Sequence, residues 1–199
     1  MEKVVTIREQ IVSALRGDVL AGRLREGEPL REQLLADRFG VSRGPIRDAL
    51  LQLSQEGLLI ARPNCGMVVG KGAPEATRPL MVRVRREVET FALDGLFARL
   101  ADADVIDWER QLGLFGRACE ANDLPRVVEL DMAFHRSIVA RGGGEDLVAV
   151  WLPIVTRMML RYSRHDDLSE SHAEHAAIVG AIRRRRRSEA KRLLAAHIQ

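Results

Sequence analysis

Hydrophobic positions recur at helical spacing along most of this chain. Over residues 5–21, Ile7, Ile11, Val12, Leu15, Val19 and Leu20 fall on one face, which predicts an amphipathic helix. Gly22 suits its C-terminal cap, and Gly27 with Pro29 predicts a loop. A short helix is expected over 31–39, ended by Gly40, with Val41 and Ser42 as the turn. The next helix is expected over 43–57, with Ser42 as N-cap and Gly57 as its close. Pro45 falls in its first turn, where a missing N–H costs little. Then the period changes. Leu58–Ala61 and Met67–Val69 are short apolar runs around Arg62-Pro63-Asn64-Cys65-Gly66, the pattern of a small hairpin.

Residues 70–76, GKGAPEA, read as a linker. Beyond Pro79 the helical period returns, predicting helices near 78–100, 103–121, 124–141, 145–164, 169–185 and 188–198. Asp123 with Pro125 starts one of them, Gly142-Gly143-Gly144 separates two, and Ser188 suits the N-cap of the last. The expected fold is mainly α. A winged helix-turn-helix with a small β-hairpin wing occupies 1–70, a linker 71–77, and an antiparallel all-α bundle 78–199.

Composition supports helices. Aromatics make up only 4% of the 199 residues against 46% hydrophobic overall, so the cores must be filled by aliphatic side chains. The formal charge of +3 is too small to argue for nucleic acid by itself, but the basic residues are nearly all Arg, which can fork onto a phosphate or a guanine. Two cysteines, Cys65 and Cys119, make no CxxC pair and no disulfide framework. The N-terminus is charged and lacks a signal-peptide core, and no apolar run reaches the roughly 18–20 residues that cross a bilayer. A cytoplasmic protein without a membrane partner is expected.

Candidate chemistry sits at two places. In the helix-turn-helix, Leu34, Leu35 and Phe39 are expected to face inward, Val41 plugs the turn, and Ile46, Ala49, Leu50 and Leu53 form the inner stripe of the second helix. Ser42, Arg43, Gly44 and Arg47 are left at its exposed N-terminal end, the part that enters a major groove in this motif. Arg43 and Arg47 are four apart on one face, and each can donate bidentately to guanine. The Ser42 hydroxyl and the helix N-terminus suit a phosphate. In the second half, Asp131 and His135 are also four apart, flanked by Leu130, Phe134, Ile138 and Val139. His175 and His197 lie on later helices. Such oxygen and imidazole ligands suit Zn, Ni, Mn or Fe rather than Ca or Mg. Spacing alone leaves open that these histidines are unrelated.

The segment 30–69 resembles the GntR superfamily of bacterial regulators. The resemblance rests on Glu32, Leu35-Ala36, Gly40-Val41-Ser42-Arg43, Pro45-Ile46-Arg47, Ala49-Leu50, Leu53, Glu56-Gly57-Leu58 and Gly66. It implies DNA contacts from Ser42, Arg43, Gly44, Arg47 and the wing Gly66, with a further contact from the first helix of the motif. Gln33 aligns there where some members carry Arg, and Gly44 stands where Thr is common. Residues 79–199 resemble the FCD ligand-binding domain of the FadR-type branch. The likeness rests on Arg85-Arg86-Glu87-Val88-Glu89, Leu130-Asp131, Phe134-His135, Glu174-His175, Ile178, Ala181-Ile182 and His197. Many members hold one metal with an Asp and three His, which implies Asp131, His135, His175 and His197 as ligands of one divalent transition metal. The resemblance favours His175 over His172 as ligand and leaves His165 in a loop.

These likenesses imply a homodimeric transcriptional regulator that binds an inverted-repeat operator in double-stranded DNA and answers to a small organic acid, with no catalytic turnover. Arg85 is a candidate for the acid's carboxylate, with a surface ion pair to Glu89 as the alternative. The Arg183–Arg187 run reads as a solvated charged stretch rather than a DNA contact. Two other classes stay in view: a constitutive DNA-binding protein whose bundle only dimerises, and a metal-dependent hydrolase.

Overall fold

The computed structural model describes residues 6–160 and 168–199, so His165 and the end of the helix expected to reach 164 lie outside it. Helix α1 spans Ile7–Leu20. Thr6 caps it in a reciprocal box: its hydroxyl accepts from the Glu9 N–H at 3.2 Å, and the Glu9 carboxylate accepts from the Thr6 N–H at 2.7 Å. Ile11, Val12, Leu15 and Val19 are buried, whereas Ile7 in the first turn is exposed. Helix α2 (Glu32–Phe39) ends at Gly40, whose φ of 64° only glycine adopts without strain. Helix α3 (Arg43–Gln55) follows after three residues, Gly40, Val41 and Ser42. Ser42 holds the N-cap position with extended backbone, but its hydroxyl makes no capping bond.

Leu34 does not face inward; it is 62% exposed. Successive helical residues turn by about 100°. The inner stripe of this eight-residue helix is Leu35, Ala36 and half-buried Phe39, and it leaves Leu34 on the flank. Ile11 and Leu15 of α1 pack with Ile46, Leu50 and Leu53 of α3 in the core of this part of the chain.

The wing is a hairpin of β2 (Leu59–Arg62) and β3 (Gly66–Val69), paired antiparallel with Ile60 opposite Val68. Where a loop is expected, Pro29–Leu30 forms a further strand, β1, on the other edge of β3, giving the order β1-β3-β2. Two residues are too few to show an alternating pattern. Pro29 fits because an edge strand spares its missing N–H.

The rest is helical. Helices α4 (Arg78–Phe97), α5 (Asp102–Glu120), α6 (Leu124–Met159), α7 (Leu168–Arg183) and α8 (Arg187–His197) bury Trp108, Trp151, Leu93, Ile138 and Ile178. Asp123 Oδ1 accepts from the Arg126 N–H at the start of α6. The glycine triplet separates two helical stretches of α6, as expected. Gly144 takes φ 78° and ψ 179°, and helix resumes on both sides. Here α4 and α6 approach backbone to backbone: a Cβ on Gly142 would stand 1.8 Å from the Ala92 carbonyl oxygen. Helix α8 starts one residue earlier than expected, so Ser188 lies inside it and Arg186 takes the N-cap position.

By their contacts the described residues divide into two compact units. The first comprises the stretch to Ala73 together with the last turn of α6 from Thr156, where the Arg157 carbonyl accepts from the Ala73 N–H and Leu160 packs on the core. The second runs from Pro74 to Val155 and includes α7 and α8. Among the described residues no helix is long and apolar enough to cross a membrane.

Candidate nucleic-acid interface and metal centre

In the first unit, Gln33, Ser42, Arg43, Gly44, Arg47 and the wing Gly66 are all exposed. Burial of Ile46, Ala49, Leu50 and Leu53 turns the opposite face of α3 outward and with it Arg43 and Arg47. Both arginines already have partners on α2. Arg43 donates from Nε and Nη2 to Gln33 Oε1 at 2.8 and 2.5 Å, and Arg47 Nε pairs with Glu32 at 2.7 Å. Gln33 in turn donates to Asp37 at 2.8 Å. Its amide is therefore engaged at both ends, and it stands as a brace for Arg43. Glu32, singled out in the sequence only as a matched position, braces Arg47. Gly66 sits where β3 begins, with φ 72° and nothing within 4 Å of the place a Cβ would take.

In the second unit the structure brings together Asp131, His135, His175 and His197. Each offers one ligand atom, and these atoms lie within 4.8 Å of one another, all buried. Helix α6 supplies Asp131 and His135 one turn apart, α7 supplies His175, and α8 ends on His197. Every imidazole is held by its Nδ1. His135 Nδ1 meets Glu89 Oε2 at 2.7 Å, His175 Nδ1 meets the Ser171 carbonyl at 2.8 Å, and His197 Nδ1 meets Glu174 at 2.7 Å. Oxygen acceptors at Nδ1 fix the Nδ1–H tautomer and leave each Nε2 lone pair pointing inward. Those Nε2 atoms lie 3.8, 3.3 and 3.9 Å from Asp131 Oδ1, and those of His135 and His197 are 3.0 Å apart.

Lone pairs facing one another at such distances, away from water, call for a positive charge. Asp131 Oδ2 and His175 Nε2 are buried without a hydrogen-bond partner. Burial opposes the charge on Asp131, yet positive charge within the cluster, whether a proton on its imidazoles or a cation in the proton's place, together with Arg85 holds its carboxyl well below the usual carboxylate range. Burial pushes His135 down, toward the neutral imidazole that a metal requires, against the pull of Glu89. Four N and O donors converging within 4.8 Å of one another fit an ion about 2 Å from each. The donor set therefore fits a divalent transition metal.

Glu89 is the residue that sequence reasoning undervalued. It is fully buried and takes three donors: Arg85 Nε and Trp151 Nε1 on Oε1, at 2.7 and 2.8 Å, and His135 on Oε2. Burial raises its carboxyl, but Arg85 and His135 outweigh that and lower it to about 2. The Arg85–Glu89 pair thus forms, but inside the bundle rather than on its surface. The i, i+4 spacing could have revealed this pair; nothing local links Glu89 to His135, 46 residues away. His172 stays half-buried beside Phe115, outside the cluster. The Arg183–Arg187 run is exposed and paired with acids, Arg183 with Glu109, Arg185 with Asp102 and Arg187 with Asp94.

Comparison with known proteins agrees with both halves. Residues 7–69 match the family described as bacterial regulatory proteins, gntR family, and residues 80–199 match the FCD domain. The HTH-type transcriptional repressor RspR of Escherichia coli is 26% identical over 97% of this chain and 86% of its own length. A regulator from an unstable DNA locus of Streptomyces ambofaciens is 32% identical over 89% of this chain and 75% of its own. Among solved structures, McbR/YncC of E. coli superposes with a TM-score of 0.79 at 21% identity, covering 98% of this chain and 95% of its own, which speaks for the fold. An N-terminal reading head and a C-terminal helical domain, each matching its own family, make this chain a member of the GntR family of transcriptional regulators with an FCD domain.

Proposed function

We propose that this chain is a metal-containing, ligand-responsive repressor that binds an inverted-repeat operator as a homodimer. The observation that carries the reading is the buried Asp131, His135, His175 and His197 cluster, whose imidazoles are all held by Nδ1 and present Nε2 inward. These four residues would hold one Zn, Ni, Mn or Fe ion, which would supply a Lewis-acid point for a carboxylate ligand. Arg85, whose charge already reaches Asp131, adds a second attraction for a small organic acid. In the reading head, Arg43 and Arg47 read base edges, Ser42 and Gly44 meet the backbone, and Gly66 lets the wing approach it. Gln33 acts through Arg43. That relatives such as the gluconate operon repressor of Bacillus licheniformis are named repressors favours repression over activation.

The hydrolase reading needs a carboxylate placed to activate water. Glu89 is committed to Arg85, His135 and Trp151, and Glu174 to His197, so neither supports it. The test is elemental analysis of purified protein beside His135→Ala and His175→Ala, followed by a thermal-shift screen of small carboxylic acids on the metal-loaded chain. Expected are about one metal per chain in the parent, loss in both variants, and stabilisation by some acids that vanishes with the metal. Equal metal content in all three proteins would sink the ligand set.

A further inference from the structure

Helix α6 carries the candidate ligands Asp131 and His135 before its break at Gly144, and Trp151 after it. One carboxylate joins the two stretches. Glu89 Oε2 takes His135 Nδ1 at 2.7 Å, and Glu89 Oε1 takes the Trp151 indole N–H at 2.8 Å. All three side chains are buried, and Trp151 has no measurable exposure. A break in a helix removes the backbone's own means of passing a displacement along it. A side-chain bridge across the break restores that means.

We infer that Glu89 and Trp151 are positioning residues that report occupancy of the histidine cluster to the far half of α6. The inference rests on the metal reading above. A cation on His135 Nε2 draws electron density from the ring and makes Nδ1–H a stronger donor to Glu89. Glu89 shares its negative charge among three donors, so a stronger bond at Oε2 weakens the one that Oε1 offers Trp151. The indole and the half-helix that bears it are held differently with and without the ion. That half-helix runs on to Met159, and its last turn from Thr156 groups with the first unit.

The chain has two tryptophans, Trp108 and Trp151, so a 15N-labelled sample shows two indole N–H signals. Trp108 donates to Ser137 instead, at 2.6 Å, and serves as the internal reference. Trp151→Phe assigns the signals. Zn2+ is titrated into chelator-stripped protein while uptake is measured independently by a competing chromophoric chelator. The expected result is movement of the Trp151 signal in step with uptake, and by more than that of Trp108. Glu89→Gln, equal in size but unable to serve both donors as an anion, weakens uptake by about 10–100-fold and leaves Trp151 unresponsive at saturation. Uptake by the parent with a stationary Trp151 signal overturns the relay and leaves the metal reading standing. No uptake by the parent overturns the metal reading and the relay with it. If Glu89→Gln fails to fold, shown by loss of the Trp108 signal, the parent titration alone decides.

Discussion

Arg43 and Arg47 meet the solvent with their forks partly committed, one to a neutral amide and one to a carboxylate. Exposed pairs of this kind contribute about 1 kcal/mol or less, so a guanine edge can replace the partner at little cost. What the partners provide is aim: a guanidinium held near its working direction loses less freedom when DNA arrives. Arg43→Ala and Arg47→Ala are each expected to weaken binding to the cognate operator by about 1–3 kcal/mol, and binding to random duplex by much less, at one fixed salt concentration. Fluorescence anisotropy on both duplexes measures the difference. Equal losses would reduce the pair to phosphate contacts. The exposed place of these two residues at the start of α3 was legible in the sequence because the helix-turn-helix pattern is local. Their braces were not, because Gln33 and Glu32 lie 10 and 15 residues from the arginines they meet, across a turn whose geometry had to be seen.

Between elements, the contacts that set the architecture come from small or charged residues that a hydrophobic pattern passes over. Asp18, buried near the end of α1, takes Arg23 at 2.6 Å from the following loop and Arg38 at 2.7 Å from α2. Burial works against its charge, but the two arginines prevail and lower its pKa. A carboxyl depressed in the folded state adds stability that is present above its unfolded value, near pH 4, and is lost as the pH falls through the depressed one. The stability gap between the parent and Asp18→Asn is therefore expected to be roughly constant at pH 6–8 and to close on acidification, as urea midpoints across pH would show. A gap independent of pH would mean that the carboxylate's charge is not what matters. Gly142 makes the complementary case. Its Cβ would meet the Ala92 carbonyl at 1.8 Å, and the nearest backbone cannot yield as a side-chain tip would. Gly142→Ala is expected to cost about 1–3 kcal/mol by overpacking. Gly144→Ala faces open space, but φ 78° with ψ 179° is backbone that residues with a Cβ scarcely adopt, so its cost is strain of about 1–3 kcal/mol rather than overpacking. Urea midpoints of the two variants rank them. The sequence placed a boundary at this triplet correctly in kind, since Gly144 does break the helix. It could not show that the break is bridged, because the bridge is made by Glu89 from another helix.

At the scale of the whole molecule, function is divided between two units whose legibility differed. The reading head is a compact local motif, so its helices and wing followed from spacing, with β1 lost because two residues carry no period. The bundle's helices were also readable, but its centre is assembled from α4, α6, α7 and α8, and no pattern along one helix shows what the others bring. Resemblance to the FCD domain pointed to the four residues that cluster, Asp131, His135, His175 and His197, while Glu89, Trp151 and Ser171 emerge only in three dimensions. The division has a thermodynamic consequence. An ion bound only by the folded second unit stabilises it by an amount that grows with concentration over affinity, about 2.7 kcal/mol at a hundredfold excess over Kd. The first unit holds none of the four clustered residues. In scanning calorimetry, Zn2+ added to chelator-stripped protein is expected to raise the transition of the second unit by several degrees and to leave that of the first nearly in place. His135→Ala identifies the responsive transition by abolishing its shift. If both transitions rise together and by the same amount, the two units unfold as one, and the coupling through α6 is stronger than a hydrogen-bonded relay requires. If neither rises while the protein takes up the ion, the binding site is not the buried cluster, because an ion seated among four buried ligands cannot bind without favouring the fold that buries them.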